Sequence, residues 1–508
     1  MATRTPKRGG EADVAHRNRI GRGAASREVR PFHRRPIRAG AGRPLRADCR
    51  GRHRGTDRGR RGGHRRRRRA RGRRGRGSVA RLGRAPPARR RKVLLRAAEL
   101  FGERAAELSA IMGREMGATR PWCRFNVQVA QDLLAEAAAQ AYSAVGEVIP
   151  SDVPGLTAMG IRQPAGVVVG IAPWNAPLIL GVRAVAMPLI YGNTVVLKAS
   201  EQTPLTHAAI VEILHDAGAS AGAVNLIANA PEDAPSIVEA LVAHPATARV
   251  NFTGSTRVGR IVGELGGRHL TRVVLELGGK APVVVLADAD LEAAAAAASF
   301  GAFMNQGEIC MSTERVIVER PAADELSALL AERAAKLVVG PPDDDAAQIG
   351  PLVHAGARDH VMALVEDAVR QGAEVLAGGS ADGLYVQPTV LRHVTPAMRI
   401  YHEETFGPVV SVIEAADADE AVATANDTEY GLAAAVFSRD GGQALDVARR
   451  IRSGICHING ATVHDEPQMP FGGVGASGWG RFGSRAALEE FTELRWITQQ
   501  SGERHYPI

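Results

Sequence analysis

Apolar residues recur at helical spacing from Val93 to Met116, at Val93, Leu94, Leu95, Ala98, Leu100, Phe101, Ala105, Leu108, Ile111 and Met112, and predict one helix over that stretch. A second helix is expected over residues 125–142. Between 149 and 161 the pattern changes to alternation interrupted by Pro150, Asp152, Pro154 and Gly155, as in a hairpin. Short apolar runs then take turns with amphipathic stretches. Strands are expected over 167–171, 194–197, 223–227 and 248–252, with helices over 177–191, 204–217 and 234–242 between them. A second alternating set places strands over 283–286, 315–318, 409–413 and 433–437 and helices over 291–304, 322–335, 358–371, 417–426 and 441–451. Residues 341–351 read as a polar surface loop and 491–498 as a last strand.

Strand, helix, strand in this rhythm implies parallel crossovers, so the fold class is α/β with a doubly wound sheet. Such sheets bind ligands outside the carboxyl ends of their strands. Those ends carry Pro173-Trp174-Asn175, Lys198-Ala199-Ser200-Glu201 and Thr253-Gly254-Ser255. The glycines of 251–259 lack the G-x-G-x-x-G spacing, and a tight strand-to-helix connection accounts for Gly254-Ser255 as well as a phosphate site does.

Composition is uneven along the chain and departs from the rest at the N-terminal end. The 508 residues allow two or three domains, and their net charge of +10 is unevenly divided. Residues 1–91 hold 32 Arg and one Lys against five acids, a balance of +28, which leaves −18 for the rest. With Arg65 to Arg69 in succession and little apolar periodicity, this segment cannot offset the entropy of ordering and is expected to be disordered in isolation. A basic tail could hold nucleic acid through its phosphates. A transit peptide is also Arg-rich, though shorter and richer in Ser. A mis-called or frame-shifted start in a GC-rich gene would give this excess of Arg, Gly, Ala and Pro. The third reading is preferred, with a natural N-terminal part then missing and a nucleic-acid partner disfavoured. The four cysteines, Cys49, Cys123, Cys310 and Cys456, form no C-x-x-C pair, so neither a metal site nor a disulfide framework is expected, which fits the reducing cytoplasm. No apolar run reaches eighteen residues and no apolar signal core opens the chain, so no membrane span or export is expected.

The candidate chemistry centres on Asn305-Gln306-Gly307-Glu308-Ile309-Cys310-Met311-Ser312-Thr313, which follows the alanine-rich helix and precedes a strand. A thiol there can be a nucleophile, although a single cysteine is more commonly a small buried apolar residue. Glu276, at a strand end, reads as a general base or as the half-buried partner of a cation. Asn175 reads as an oxyanion donor or as a cap for the next helix, and Lys198 with Glu201 as a cofactor contact or a surface ion pair.

Pro173-Trp174-Asn175, Phe252-Thr253-Gly254-Ser255, Leu275-Glu276-Leu277-Gly278-Gly279-Lys280, the Cys310 stretch and Glu404-Thr405-Phe406-Gly407-Pro408 occur in this order. In this the chain resembles the aldehyde dehydrogenase superfamily from about Val93 to about Trp496. The resemblance implies an NAD-binding domain over 92–276, a catalytic domain over 277–470 and a C-terminal return over 471–508. It also implies an oligomerisation hairpin at about 146–163, and hence a homodimer or homotetramer in which the last strand joins a neighbour's hairpin. Cys310 would attack an aldehyde, Asn175 and the Cys310 N–H would hold the oxyanion, and Glu276 would activate water to hydrolyse the thioester. Trp174, Gly254, Ser255 and Leu277 would contact the cofactor. Lys198 and Glu201 would hold the adenine ribose, with the carboxylate favouring NAD over NADP. Glu404 would hold the nicotinamide ribose, with Phe406 beside the ring.

Within the superfamily the resemblance points to bacterial aromatic aldehyde dehydrogenases of the salicylaldehyde, vanillin and benzaldehyde type. It rests on Cys310-Met311-Ser312-Thr313-Glu314-Arg315, His457-Ile458-Asn459-Gly460, Val463-His464-Asp465-Glu466 and Arg183. Arg183 stands where many aliphatic-aldehyde members carry a bulky aromatic, and Ala184 where they carry lysine. Arg183 is expected either to bind a ring substituent or to lie on the surface; His457 and His464 are given structural roles. An aliphatic or semialdehyde dehydrogenase is the alternative.

Overall fold

The computed structural model describes residues 85–508; the Arg-rich segment to residue 84, and with it the readings of its disorder, its origin and nucleic-acid binding, lies outside the described residues. Its expected end at residue 91 is too late, because a helix already begins at Pro87, where proline's missing N–H costs nothing in the first turn. The single helix expected from Val93 is two helices, Pro87–Glu103 and Ala105–Met116, broken at Arg104 (φ −99°, ψ 14°). Their buried residues, Leu94, Ala97 and Phe101, then Leu108, Met112 and Met116, keep helical spacing across the break and conceal it in the sequence. The break lets Arg104 face Glu107, Glu212 and Asp216. A third helix, Arg120–Ala139, packs on both.

An antiparallel hairpin, β1 (Glu147–Ile149) and β2 (Leu156–Pro164), follows, then β3 (Val167–Ile171), β4 (Thr194–Lys198), β5 (Val224–Ile227), β6 (Thr247–Thr253) and β7 (Arg272–Glu276). These last five are parallel in the order β7-β6-β3-β4-β5. The chain runs outward from β3 in both directions, so the switch point lies between β3 and β6. The residues that leave those two strands are the predicted Pro173-Trp174-Asn175 and Thr253-Gly254-Ser255. The helix Pro177–Ile190 is buried along its whole length, which its nearly unbroken apolar sequence requires.

The second sheet opens with β8 (Ala281–Val285) and β9 (Thr313–Glu319), joined through the helix Leu291–Phe303. It continues with β10 (Glu374–Ala377), passes the small ribbon β11 (Ala381–Asp382) and β12 (Tyr385–Val386), and adds β13 (Thr389–Arg392), β14 (Val409–Ala415), β15 (Ala433–Phe437) and β16 (Ile455–Ile458). The order is β10-β13-β14-β9-β8-β15-β16, parallel from β13 to β16. A short β17 (Gly478–Trp479) returns to the first sheet, where Gly478 pairs with Glu276. The last strand, β18 (Thr492–Gln500), pairs antiparallel along the whole of β2 in its own chain. The reason is proximity, since β2 offers nine partners in register beside it and Phe491 O already accepts from Ala165 N.

Candidate active site

Glu276 ends β7, and only Leu277-Gly278-Gly279-Lys280 separate it from β8; Cys310 lies three residues before β9. The carboxyl ends of the first sheet therefore meet the amino ends of the second, and the candidate residues collect at that seam. Cys310 sits in a turn closed by Ser312 N donating to Ile309 O (2.9 Å). Before it the backbone takes three consecutive left-handed residues, Asn305 (φ 48°), Gln306 (φ 54°) and Gly307 (φ 71°). Asn tolerates this region and Gly is at ease in it, whereas Gln pays about 1–3 kcal/mol. Gln306 is fixed there by Gly350 N, which donates to its Oε1 (3.0 Å), and Ser312 Oγ donates to Gly307 O (3.0 Å). The Cys310 thiol lies beside the Glu276 carboxyl in the seam.

Glu276 is 1 % exposed, and among the described residues its carboxyl oxygens have no hydrogen-bond partner beyond the Cys310 thiol beside it. The expected alternative, a half-buried Glu paired with a cation, does not describe it. Burial pushes its carboxyl up to about 7, against smaller downward pulls from the Cys310 thiol and Arg183. Burial, and then the negative charge of Glu276, push the Cys310 thiol well above its usual range, so its nucleophilic form needs a base or a proton transfer. Asn175 does not cap the following helix, which has no side-chain cap; its Nδ2 donates to Glu308 O (2.9 Å), leaving a second N–H available. The Cys310 N–H donates to no atom among the described residues. Amide, backbone N–H, thiol and carboxyl are the parts needed for acyl transfer through a tetrahedral oxyanion.

Arg183 is not on the surface. It is 5 % exposed in the wholly buried helix Pro177–Ile190, paired with Asp465, with its guanidinium 4.3 Å above the Phe471 ring. Its charge acts on both Glu276 and Cys310. His457 and His464 stack edge to face at 4.9 Å, and among the described residues no cluster of His, Cys, Asp and Glu could hold a metal ion.

The predicted cofactor residues form a second group. Lys198 is buried at the end of β4 and pairs with Glu201, whose carboxylate also accepts from Asn229 Nδ2 (2.8 Å), so this is no surface pair. Burial pushes Glu201 up, but Lys198, Asn229 and its own backbone outweigh it and hold the carboxyl below its usual range. Ser255 caps the helix Thr256–Arg268 through Val258 N (3.5 Å), and Gly254 N donates to Glu276 O (3.1 Å). A Cβ at Gly254 would lie 2.6 Å from the Phe252 ring. Leu277 is buried and packs over Gly259. Trp174 and Phe406 meet edge to face at 5.8 Å. Glu404 accepts from Gly279 N (2.9 Å), and burial pushes its carboxyl up to about 8. A Cβ on Gly278 would stand 2.5 Å from Glu404 Oε2, and one on Gly279 2.5 Å from Cys310 O, which is why this approach needs two glycines.

The family model described as the aldehyde dehydrogenase family matches residues 75–497. The chain belongs to the aldehyde dehydrogenase family. The match begins before Val93, so the resemblance reaches further towards the N-terminus than the motifs alone indicate. A vanillin dehydrogenase of Pseudomonas sp. (strain HR199 / DSM 7063) is 58 % identical over 419 residues, covering 82 % of this chain and 87 % of the relative. A salicylaldehyde dehydrogenase of Pseudomonas putida is 44 % identical over 421 residues, covering 82 % and 87 %. The crystal structure of a salicylaldehyde dehydrogenase from Pseudomonas putida G7, complexed with salicylaldehyde, superposes with a TM-score of 0.84 at 43 % identity, over 85 % of this chain and 90 % of that one.

Several residues of this aldehyde dehydrogenase site carry no sequence signal of their own. Glu308 is fully buried, its Oε1 accepts from Val353 N (3.1 Å), and burial pushes its carboxyl up to about 8. Trp122 donates from its indole N–H to Asn175 O (3.0 Å) and so fixes the backbone that carries the amide. Ser477 Oγ donates to Gly278 O (2.6 Å) and accepts from Gly431 N (3.0 Å), tying the C-terminal return to the glycine pair. Acids and hydroxyls of this kind look like surface residues until partners far along the chain are known.

Proposed function

We propose that the protein oxidises an aromatic aldehyde to its carboxylic acid with NAD as cofactor, through a thiohemiacetal and a thioester on Cys310. The observation that carries this reading is the wholly buried Glu276 carboxyl beside the Cys310 thiol. A carboxyl that burial pushes up to about 7 can accept a proton from water at physiological pH. Cys310 gives up its proton to water and adds as the thiolate to the aldehyde carbon, and the oxyanion that forms is held by the free N–H of Asn175 and the Cys310 amide. NAD, when bound, supplies the hydride acceptor. Glu276 then takes a proton from the water that attacks the thioester and passes it to the Cys310 sulfur as the C–S bond breaks, so that Cys310 leaves as the thiol.

The residues present fit the cofactor. Glu201, held ionised by Lys198, suits a free ribose 2′-hydroxyl and repels a 2′-phosphate, which is the basis for proposing NAD rather than NADP. The free N–H groups of the helix opened by Gly254 and Ser255 suit a pyrophosphate, with Leu277 beside it. Glu404 suits the nicotinamide ribose, and Trp174 with Phe406 form apolar walls for the ring. On this reading residues 87–276 are the cofactor domain with its hairpin at about 146–163, 277–470 the catalytic domain, and 471–508 the return.

The substrate class is supported by the vanillin and salicylaldehyde dehydrogenases that the chain is similar to. Arg183 and its partner Asp465 would meet a ring hydroxyl. Free Cys123, Cys310 and Cys456 suit the reducing cytoplasm. A homodimer or homotetramer would form on the hairpin sheet, whose strand β18 exposes Leu494 and Trp496. No helix among the described residues is long and apolar enough to cross a membrane. The test is NADH formation from benzaldehyde, salicylaldehyde, vanillin and propanal. The three aromatic aldehydes should be turned over with kcat/KM well above that of propanal; preference for propanal would refute the substrate class.

A further inference from the structure

Three segments meet in the seam: one carries Glu276, one Cys310, and one Glu404 with Phe406. A single buried ion pair joins all three. Lys280 lies four residues after Glu276, and Glu314 four residues after Cys310; the two side chains pair while almost wholly buried. Glu314 takes the N–H of Thr405 on both carboxylate oxygens (2.9 Å each) and the N–H of Phe406 on Oε1 (3.1 Å). Lys280 Nζ donates to Glu403 O (2.6 Å) and to Thr405 Oγ1 (3.1 Å). These bonds fall on both sides of Glu404, whose own carboxylate turns back to Gly279 N, next to Lys280. They also hold Phe406 at φ 48°, a left-handed conformation that a bulky residue does not keep unaided.

We propose that Glu314 is a positioning residue for the nicotinamide end of the cofactor site, acting with Lys280 to set the backbone of 403–406 and thereby the Glu404 carboxylate and the Phe406 ring. The inference rests on the reading that Glu404 and Phe406 contact the cofactor. No neutral side chain can replace Glu314 fully, because its two oxygens serve three N–H bonds and an ammonium at once. Gln keeps the shape but offers a single acceptor oxygen and places an NH2 group against Lys280.

The experiment uses the full chain and the variants Glu314→Gln and Glu404→Gln. NADH is titrated by fluorescence to give Kd, and KM for NAD, KM for aldehyde and kcat are measured alongside. In Glu314→Gln, Kd for NADH and KM for NAD should rise about tenfold, the loss of one charge-assisted hydrogen bond, while KM for aldehyde stays within twofold. A Tm that falls while both cofactor constants stay at the wild-type values would reduce Glu314 to a structural residue and overturn the proposal. Should Glu314→Gln fail to fold, the doubly neutral Lys280→Met/Glu314→Leu variant leaves no buried charge unpaired, and wild-type cofactor affinity in it would overturn the proposal equally. Glu404→Gln separates the layers. If it weakens cofactor binding and Glu314→Gln does not, the inference falls alone; if neither does, the reading of the cofactor site falls with it.

Discussion

Replacing Glu276 by Gln should remove turnover and stabilise the fold, and the stabilisation should depend on pH. The Glu276 carboxyl is wholly buried, and burial raises it from the usual 4.5 to about 7. A rise of that size corresponds to roughly 3 kcal/mol of differential stability between the two protonation states. Because the folded value lies above the unfolded one, this stability is fully present below about pH 4.5 and is lost as pH rises through about 7. Wild-type protein should therefore lose up to roughly 3 kcal/mol over that interval, and the Gln variant, which has nothing to ionise, should not. The assay is thermal unfolding of both proteins at pH 5 and pH 8, at one scan rate and one protein concentration. The variant should exceed the wild type in Tm by several degrees more at pH 8 than at pH 5. In kinetics, the fraction of Glu276 ionised rises about tenfold from pH 6 to pH 8, so wild-type kcat should rise by that factor; the variant should lose roughly 10²–10⁴ in kcat together with the pH limb. A Tm difference that does not change with pH, or a variant that keeps the limb, would refute the assignment of a buried base.

Asn175→Ala should lower kcat by roughly 10²–10³, the loss of one oxyanion donor, and also free the Glu308 carbonyl; wild-type kcat would mean that the amide only ties the loop. Arg183→Ala leaves Asp465 buried without its cation, and should lower Tm and change the kcat/KM ratio of salicylaldehyde to benzaldehyde by about tenfold. An unchanged ratio would make Arg183 a structural residue.

Much of the fold was legible because the α/β alternation repeats its own punctuation. The strands Val167–Ile171 and Ala433–Phe437 and the helix Ala234–Val242 begin and end where the apolar runs do. The break at Arg104 was not legible, because the apolar spacing runs through it and Gly102, two residues before it, lies inside the first helix. The pairing of β18 with β2 was hidden for a related reason, since a strand does not state its partner. In the site, Cys310, Glu276 and Asn175 could be named from motifs, and Gly307 announced the turn. The left-handed Asn305 and Gln306 could not be foreseen, because their conformation is imposed by Gly350 and the packing around it. Pairs such as Arg183 with Asp465 and Lys280 with Glu314 join residues 282 and 34 positions apart. Each member looks like an ordinary surface charge until the fold buries both.

On the proposed reading Cys310 carries the acyl group and Glu276 releases it. The most direct measurement is peptide mass spectrometry of the Glu276→Gln variant quenched after incubation with vanillin and NAD. One aroyl group on the peptide that contains Cys310, formed with about one equivalent of NADH, is the predicted result. Sustained turnover with Cys310 unmodified, or an acyl group on another residue, would contradict it.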